Sequence, residues 1–457
     1  KDGRVVLPGG VVEANIAIEG GKIVGIGKGD IFPKAETVLN ARNKIVIPGG
    51  IDAHTHFETP FMGALPEETW ELGTKAAATG GTTCVVNFSI QKQGKKLKEA
   101  IDADIERASK LSIIDFALHG CFTDIANMDS VISEIKPLIE MGVLSFKEFL
   151  IYKKEGWMID DWGLFKILKE VGEYGGIVGV HAENAPIGEG FQEELTNEGK
   201  TESKYHPISK PNFVEAEAIQ RASSIATFAN APLYIVHMST KEGVEIVRRF
   251  RDGGAKIFAE TCTHYLCFTE EVHERDFKSL ISPPLRKEED ILALWEGLSK
   301  GIVSIVASDH APFNSGDKEK GFRNRGFITV PNGAPGVLER IPMIFYEGVV
   351  KGRITLQKMV EVTSTNVAKL LGLYPKKGVI APGSDADLVI IDPDKEVTLG
   401  CGLYDAIDWS LYEGMKIKGF PSEVLSKGEI VVEDGEFYGK PGHGEFIKRE
   451  NLMLDEL

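Results

Sequence analysis

Between residues 50 and 308 the chain passes eight times through a short, almost uninterrupted apolar stretch rich in β-branched residues, each followed by a segment of mixed polarity. The apolar stretches are 50–56, 83–88, 113–120, 145–150, 177–181, 233–237, 256–261 and 303–308. Helix-spaced apolar residues mark 97–110, 162–174, 214–228 and 243–250 among the segments between and after them. Strands that are apolar on both faces have to be covered on both faces, and crossover helices provide that cover in a parallel sheet. Eight such units predict an α/β fold of the (β/α)8 TIM-like barrel type, with an open doubly wound sheet as the rival. No Gly-x-Gly-x-x-Gly turn follows the first strand and no P-loop occurs, so the usual nucleotide cradles have no support.

The two ends of the chain read as a different kind of structure. Val5-Val6-Leu7, 14–18, 23–26 after the Gly20-Gly21 turn, and 45–47 are strand-like, and 387–391, 422–425 and 430–432 ahead of Asp434-Gly435 repeat the pattern. Residues 1–49 and 378–457 are therefore expected to form one small β-sandwich domain beside a barrel domain of 50–377. A chain of 457 residues has room for both. Its 52 Lys and Arg against 68 Asp and Glu leave a net charge of −16, a field that repels phosphate backbones and anionic lipid. Neither nucleic acid nor a membrane is an expected partner. The five cysteines, Cys84, Cys121, Cys262, Cys267 and Cys401, are odd in number and form no Cys-x-x-Cys pair. With no apolar run approaching ~18 residues and no signal-peptide core near the first residues, reduced thiols and a cytoplasmic location are expected. Cys84 and Cys121 read either as core residues or as reactive thiols.

Four of the ten histidines fall at the C-terminal ends of predicted strands: His54 and His56 after the first, His181 after the fifth, His237 after the sixth. In a barrel those ends share one face. Asp309 ends the eighth strand and Lys147 lies in the fourth, which gathers six groups from five strands into one mouth. Residues i and i+2 of a strand point the same way, so His54 and His56 can grip one ion, His181 and His237 a second, and Asp309 suits either. A single such histidine reads as a hydrogen-bonded core residue, but several buried side by side without a cation would be costly. Lys147, among Phe146, Phe149 and Leu150, reads either as a snorkelling or ion-paired side chain or as a site group. Burial between dications would depress its pKa and expose a neutral amine able to add CO2, giving a carbamate with two oxygens for two metals. His264 and His310 are left as polar supports rather than ligands, and His119 as a core residue.

At this point the residues resemble a known family. Pro48-Gly49-Gly50-Ile51-Asp52-Ala53-His54-Thr55-His56, Phe146-Lys147 with Tyr152 five residues on, Val180-His181-Ala182-Glu183-Asn184, Ile235-Val236-His237 and Ser308-Asp309-His310 look like the cyclic amidohydrolases. Ser282-Pro283-Pro284-Leu285-Arg286, Val330-Pro331-Asn332-Gly333-Ala334-Pro335 and Gly378-Val379-Ile380-Ala381-Pro382-Gly383-Ser384-Asp385-Ala386-Asp387 point to the hydantoinase and dihydropyrimidinase branch. The resemblance spans nearly the whole chain. It implies a distorted barrel flanked by a β-sandwich, and two divalent metal ions, zinc by preference. Their ligands would be His54, His56, His181, His237, Asp309 and a Lys147 carboxylated by CO2. It further implies that Tyr152 hydrogen-bonds the substrate carbonyl and its developing oxyanion, while Ser282 and Asn332 hold the ring's amide edge through main-chain groups. The tail 442–449 resembles a segment that reaches a neighbouring subunit, so a homotetramer or homodimer is expected.

The implied chemistry is the opening of a cyclic amide. A hydroxide bridging two metals ~3.5–4 Å apart is available near neutral pH. Asp309 is the candidate base, taking the hydroxide's proton and returning it to the leaving ring nitrogen, with Tyr152 stabilising the oxyanion. Phe57-Glu58-Thr59-Pro60-Phe61-Met62 carries no arginine to anchor a substrate carboxylate, as dihydroorotases would. Phe57, Phe61, Met62, Leu65, Trp157 and Met158 are candidates for an apolar lining. A 5-substituted hydantoin opening to an N-carbamoyl amino acid is the expected reaction. Dihydrouracil or dihydrothymine hydrolysis, allantoin hydrolysis and a non-catalytic scaffold are the alternatives.

Overall fold

The computed structural model describes residues 1–29 and 31–457. In chain order its strands are β1 Gly3–Leu7, β2 Gly10–Glu19, β3 Lys22–Gly27, β4 Ile45–Pro48, β5 Gly50–Thr55, β6 Thr82–Ile90, β7 Asp115–Cys121 and β8 Ser145–Phe149. They continue with β9 Ile177–His181, β10 Leu233–Ile235, β11 Ile257–Cys262, β12 Ile305–Ala307, β13 Leu388–Thr398, β14 Lys416–Ser426, β15 Glu429–Glu433 and β16 Glu436–Phe437. Strands β5 to β12 lie side by side in sequence order, with parallel neighbours throughout. The ring closes just past β12, where His56 N donates to His310 O at 2.9 Å and His310 N to His54 O at 3.3 Å. This is the TIM-like barrel, and the open-sheet rival is excluded.

Apart from Ile90 at the end of β6, every residue of the barrel strands is buried. That is why these stretches read as continuous apolar runs rather than alternating ones. The outer helices carry the complementary stripe. The helix Asp161–Glu173 buries Leu164, Ile167, Leu168 and Val171, positions that fall on one face at 3.6 residues per turn, while its N-terminus is capped by Asp160, whose side chain accepts from Gly163 N at 2.7 Å. Burying each such side chain is worth roughly 1.5–3 kcal/mol.

The terminal strands form the second sheet, in the order β16-β15-β14-β13-β4-β1-β2-β3. It curls until its turns meet: Ile23 N donates to Ser384 O at 3.0 Å and Ala386 N to Gly21 O at 2.9 Å. Val5, Val46, Leu388, Ile390 and Leu425 fill the space enclosed. A buried ion cluster ties this sheet to the barrel. Lys377 Nζ lies 2.7 Å from Asp115 at the start of β7, 2.9 Å from Asp385 and 2.5 Å from Asp387. The three carboxylates thus surround an ammonium.

The tail lies on its own barrel. Phe116 N donates to Glu445 O at 3.0 Å and Ile447 N to Phe116 O at 2.7 Å, while the buried Arg449 donates to Ser145 Oγ at 2.8 Å. The last part of 378–457 thus lies between the two layers, touching the terminal sheet where Lys427 Nζ donates to His443 O at 2.8 Å and then running along β7. No helix among the described residues is long and apolar enough to cross a membrane, and the five cysteines are all free.

Candidate active site

The C-terminal ends of the barrel strands surround a cavity of about 600 Å3, counted out to its solvent-filled mouth. His54, His56, Lys147, Tyr152, His181, His237, Ser282, Asp309 and Asn332 all line it. The nine residues singled out from the sequence, scattered over 279 positions, therefore meet at one place.

Two donor groups can be distinguished. His54 Nε2 lies 3.1 Å and His56 Nε2 3.3 Å from Asp309 Oδ1, and the donor atoms of these three residues all fall within 4.8 Å of one another. His181 and His237 form the other, with ring centroids 4.3 Å apart. The His237 ring stands 5.4 Å from His54, which places the two groups side by side. His237 Nδ1 is buried without a hydrogen-bond partner. Clustered imidazoles, a carboxylate and an orphaned ring nitrogen fit divalent cations, because without one this polar surface is poorly satisfied.

Lys147 is buried beside both groups. Among the described residues its ammonium makes no ion pair and lies instead over the rings of Phe88 and Phe149, 5.2 and 5.5 Å from their centroids. Burial lowers its pKa to about 8, against the opposing pull of Asp309 and Glu260. Asp309 responds in the other sense: burial pushes its carboxyl up, but the charges and hydrogen bonds of His54 and His56 hold it well below the usual range.

Two buried glutamates orient the histidines, and neither was singled out from the sequence. Glu260 on β11 accepts from His54 Nδ1 at 2.7 Å and from His237 N at 3.0 Å, which leaves His54 Nε2 facing the site. Glu183 accepts from His181 Nε2 at 2.7 Å, which fixes the orientation of that ring. Burial opposes ionisation of Glu183, but Lys210 and His181 hold it ionised and acceptor-only. A signal was there to be read: a glutamate inside the apolar run 256–261, and another two residues after a strand-end histidine. His310 is buried outside the cavity lining and donates from Nε2 to Glu68 at 2.5 Å. His264 is buried against Tyr265, 4.2 Å between centroids, and lies outside the cavity lining.

Three of the lining residues bear backbone strain. Tyr152, His237 and Asp309 have φ of +64°, +40° and +48°, the left-handed region that non-glycine residues seldom adopt. Each costs on the order of 1–3 kcal/mol and persists only where surrounding structure fixes it, here the ends of β8, β10 and β12. The Tyr152 ring packs 5.2 Å from His181, and both it and Ser282 line the cavity. Burial raises the phenol well above its ordinary pKa, with Glu183 adding to the effect, so it is a hydrogen-bond donor at any working pH.

A family model for the amidohydrolase family matches residues 45–431. The chain belongs to that family. D-hydantoinases are its full-length relatives: that of Ralstonia pickettii is 43% identical with 98% of each chain covered, and that of Rhizobium radiobacter 41% identical with the same coverage. Among solved structures, a dihydropyrimidinase from Brevibacillus agri superimposes with a TM-score of 0.95 at 38% identity, covering 99% of this chain and 98% of that one. Within the amidohydrolases the chain accordingly sits in the hydantoinase branch.

The apolar part of the amidohydrolase cavity differs from the lining expected. Phe61 and Trp157 do face it, joined by Ile90, Phe149, Ala311 and Phe313. Phe57 instead packs in the core, 5.4 Å from Trp70, while Met62, Leu65 and Met158 lie outside the lining, Leu65 being 59% exposed. Positive φ at Glu58 and Met62 turns this loop twice, so neighbouring side chains leave in opposite directions. Cys84, Cys121 and Cys262 are core residues whose thiols are pushed up by burial, which removes the reactive-thiol reading.

Proposed function

We propose that the protein is a two-metal hydrolase that opens the ring of 5-substituted hydantoins to N-carbamoyl amino acids. The observation that carries this reading is the convergence of His54, His56 and Asp309 on one side of the cavity and His181 and His237 on the other, with the buried Lys147 beside them. His54, His56, His181, His237 and Asp309 would hold two divalent ions, zinc by preference given the imidazole-rich donors, and Lys147 would join them after carboxylation by CO2. Ions so held supply Lewis acidity and lower the pKa of water.

The chain's own residues supply the rest. Asp309 Oδ1, ionised and aimed into the cavity, is placed to accept the proton of the attacking water and return it to the leaving ring nitrogen. Tyr152 donates its phenolic hydrogen to the carbonyl oxygen as charge develops there. Main-chain groups of Ser282 and Asn332, both in the cavity lining, hold the amide edge of the ring. The cluster of Phe61, Phe149 and Trp157, with rings 5.3 to 5.7 Å apart in successive pairs, favours an apolar ring substituent over unsubstituted dihydrouracil. Residues 50–377 would be the catalytic domain, with 1–49 and 378–457 as its support. A cytoplasmic dimer or tetramer is the assembly that fits the exposed aromatics Trp162 and Phe228, on neighbouring helices.

Assaying 5-phenylhydantoin, unsubstituted hydantoin, dihydrouracil and allantoin side by side tests the reading. The aryl hydantoin is expected to give the highest kcat/KM. Trp157→Ala should raise KM for that substrate ~10-fold or more, the equivalent of a lost aromatic contact, while changing dihydrouracil turnover less than ~3-fold. Faster turnover of dihydrouracil than of the aryl substrate would favour the dihydropyrimidinase reading.

A further inference from the structure

One oxygen atom stands between the two halves of this site. Glu183 Oε2 accepts from His181 Nε2 at 2.7 Å, from Ser282 Oγ at 2.9 Å and from Lys210 Nζ at 3.0 Å. Lys210 Nζ is itself in short contact with Ser282 Oγ. Glu183, Lys210 and His181 are each at most 3% exposed and Ser282 8%. Water therefore does not stand in for any of these partners. The other carboxylate oxygen, Oε1, is buried with no hydrogen-bond partner. The backbone of Lys210 is fixed in turn, its carbonyl accepting from Arg286 in a second buried pair with Glu215.

We propose that Glu183 is a positioning residue that couples the His181 ring to the Ser282 segment, so that metal affinity and the placement of the substrate's amide edge depend on each other. This rests on the two-metal reading above. If the Ser282 side chain is removed, Glu183 Oε2 loses one donor, its hydrogen-bonding geometry relaxes towards Lys210, and the His181 ring loses its fixed orientation. If the metal side is perturbed, the same atom releases Ser282 and the main-chain groups next to it. Such coupling is reciprocal by thermodynamic necessity, and orienting groups of this kind are commonly worth 10–100-fold in metal affinity.

The test is a titration of the metal-free full-length protein with Zn2+ against a chromophoric chelator, which needs no turnover. The parent is expected to bind two ions in resolvable steps. Glu183→Gln should weaken the weaker step ~10–100-fold, and Ser282→Ala, which changes no candidate metal ligand, should weaken it ~5-fold. In the double variant the Ser282→Ala effect should shrink to within error, because the carboxylate that joins Ser282 to His181 is gone. Steady-state kinetics should show KM for the hydantoin rising in both single variants. Zinc binding by both single variants indistinguishable from the parent, or a Ser282→Ala effect that persists undiminished beside Glu183→Gln, overturns the coupling. If Glu183→Gln does not fold, Ser282→Ala decides alone: unchanged zinc affinity overturns the proposal and a several-fold loss upholds it. A parent that binds no zinc instead overturns the two-metal reading itself.

Discussion

Lys147→Ala is expected to yield a folded protein that retains at most one tightly held zinc ion and opens hydantoins at least ~100-fold more slowly than the parent, the upper end of the loss that follows removal of a metal-site support. The expectation follows from where the lysine sits. A buried ammonium beside two groups of imidazoles, with no ion pair among the described residues, is a poor structural choice. It becomes a good one once the amine carries CO2 and presents a carboxylate. The lowered pKa of about 8 favours that step, since roughly half of the amine is neutral at pH 8. The same shift makes a second, sign-specific expectation for the metal-free protein. The depressed folded-state pKa means that the buried charge destabilises fully below about pH 8 and ceases to do so as pH rises towards 10.5, where the unfolded lysine also loses its proton. Metal-free Lys147→Met should therefore melt above the metal-free parent at pH 7, with the gap closing between about pH 8 and 10.5. Thermal melts across that range, with metal content and kcat measured in parallel, check both.

Asp309→Asn is expected to lower kcat by ~10³–10⁴ while the protein stays folded and, at saturating zinc, still loaded. Asparagine tolerates the left-handed backbone at this position, where φ is +48°, so the strain is not made worse. Its amide oxygen can still face His54 and His56. What disappears is a group able to take up a proton. The acidic limb of the kcat/KM profile due to Asp309, which lies below the usual carboxylate range, should go with it. Zinc analysis of the same preparation separates loss of a base from loss of metal. An inactive variant that has also lost both ions would assign Asp309 to ligation alone.

The barrel was legible because its strands are buried on both faces, so each of the eight left an apolar run whose observed limits lie within a few residues of those read from the chain. The His-x-His pair, His181, His237 and Asp309 were legible because function places polar groups at the ends of such runs. Glu183 and Glu260 were not picked out. Glu183 meets Ser282 across 99 residues, and its value depends on which ring nitrogen it faces, which no spacing reveals. The substrate wall was only half legible: Phe57 and Phe61 stand four residues apart in the same loop, and the backbone reversal at Glu58 between them separates the one that enters the core from the one that enters the cavity. The curl of the terminal sheet, and the course of the tail along β7, depend on contacts between distant segments such as Ala386 with Gly21 and Ile447 with Phe116. Local patterning carries no trace of these.

Anomalous diffraction at the zinc edge, from crystals of protein reconstituted with zinc and bicarbonate, tests the two-metal centre most directly. Two peaks are expected, one against His54, His56 and Asp309 and the other against His181 and His237, with density extending from Lys147 Nζ between them. A single peak or none, with Lys147 ending as a bare amine, would contradict the centre on which the proposed chemistry depends.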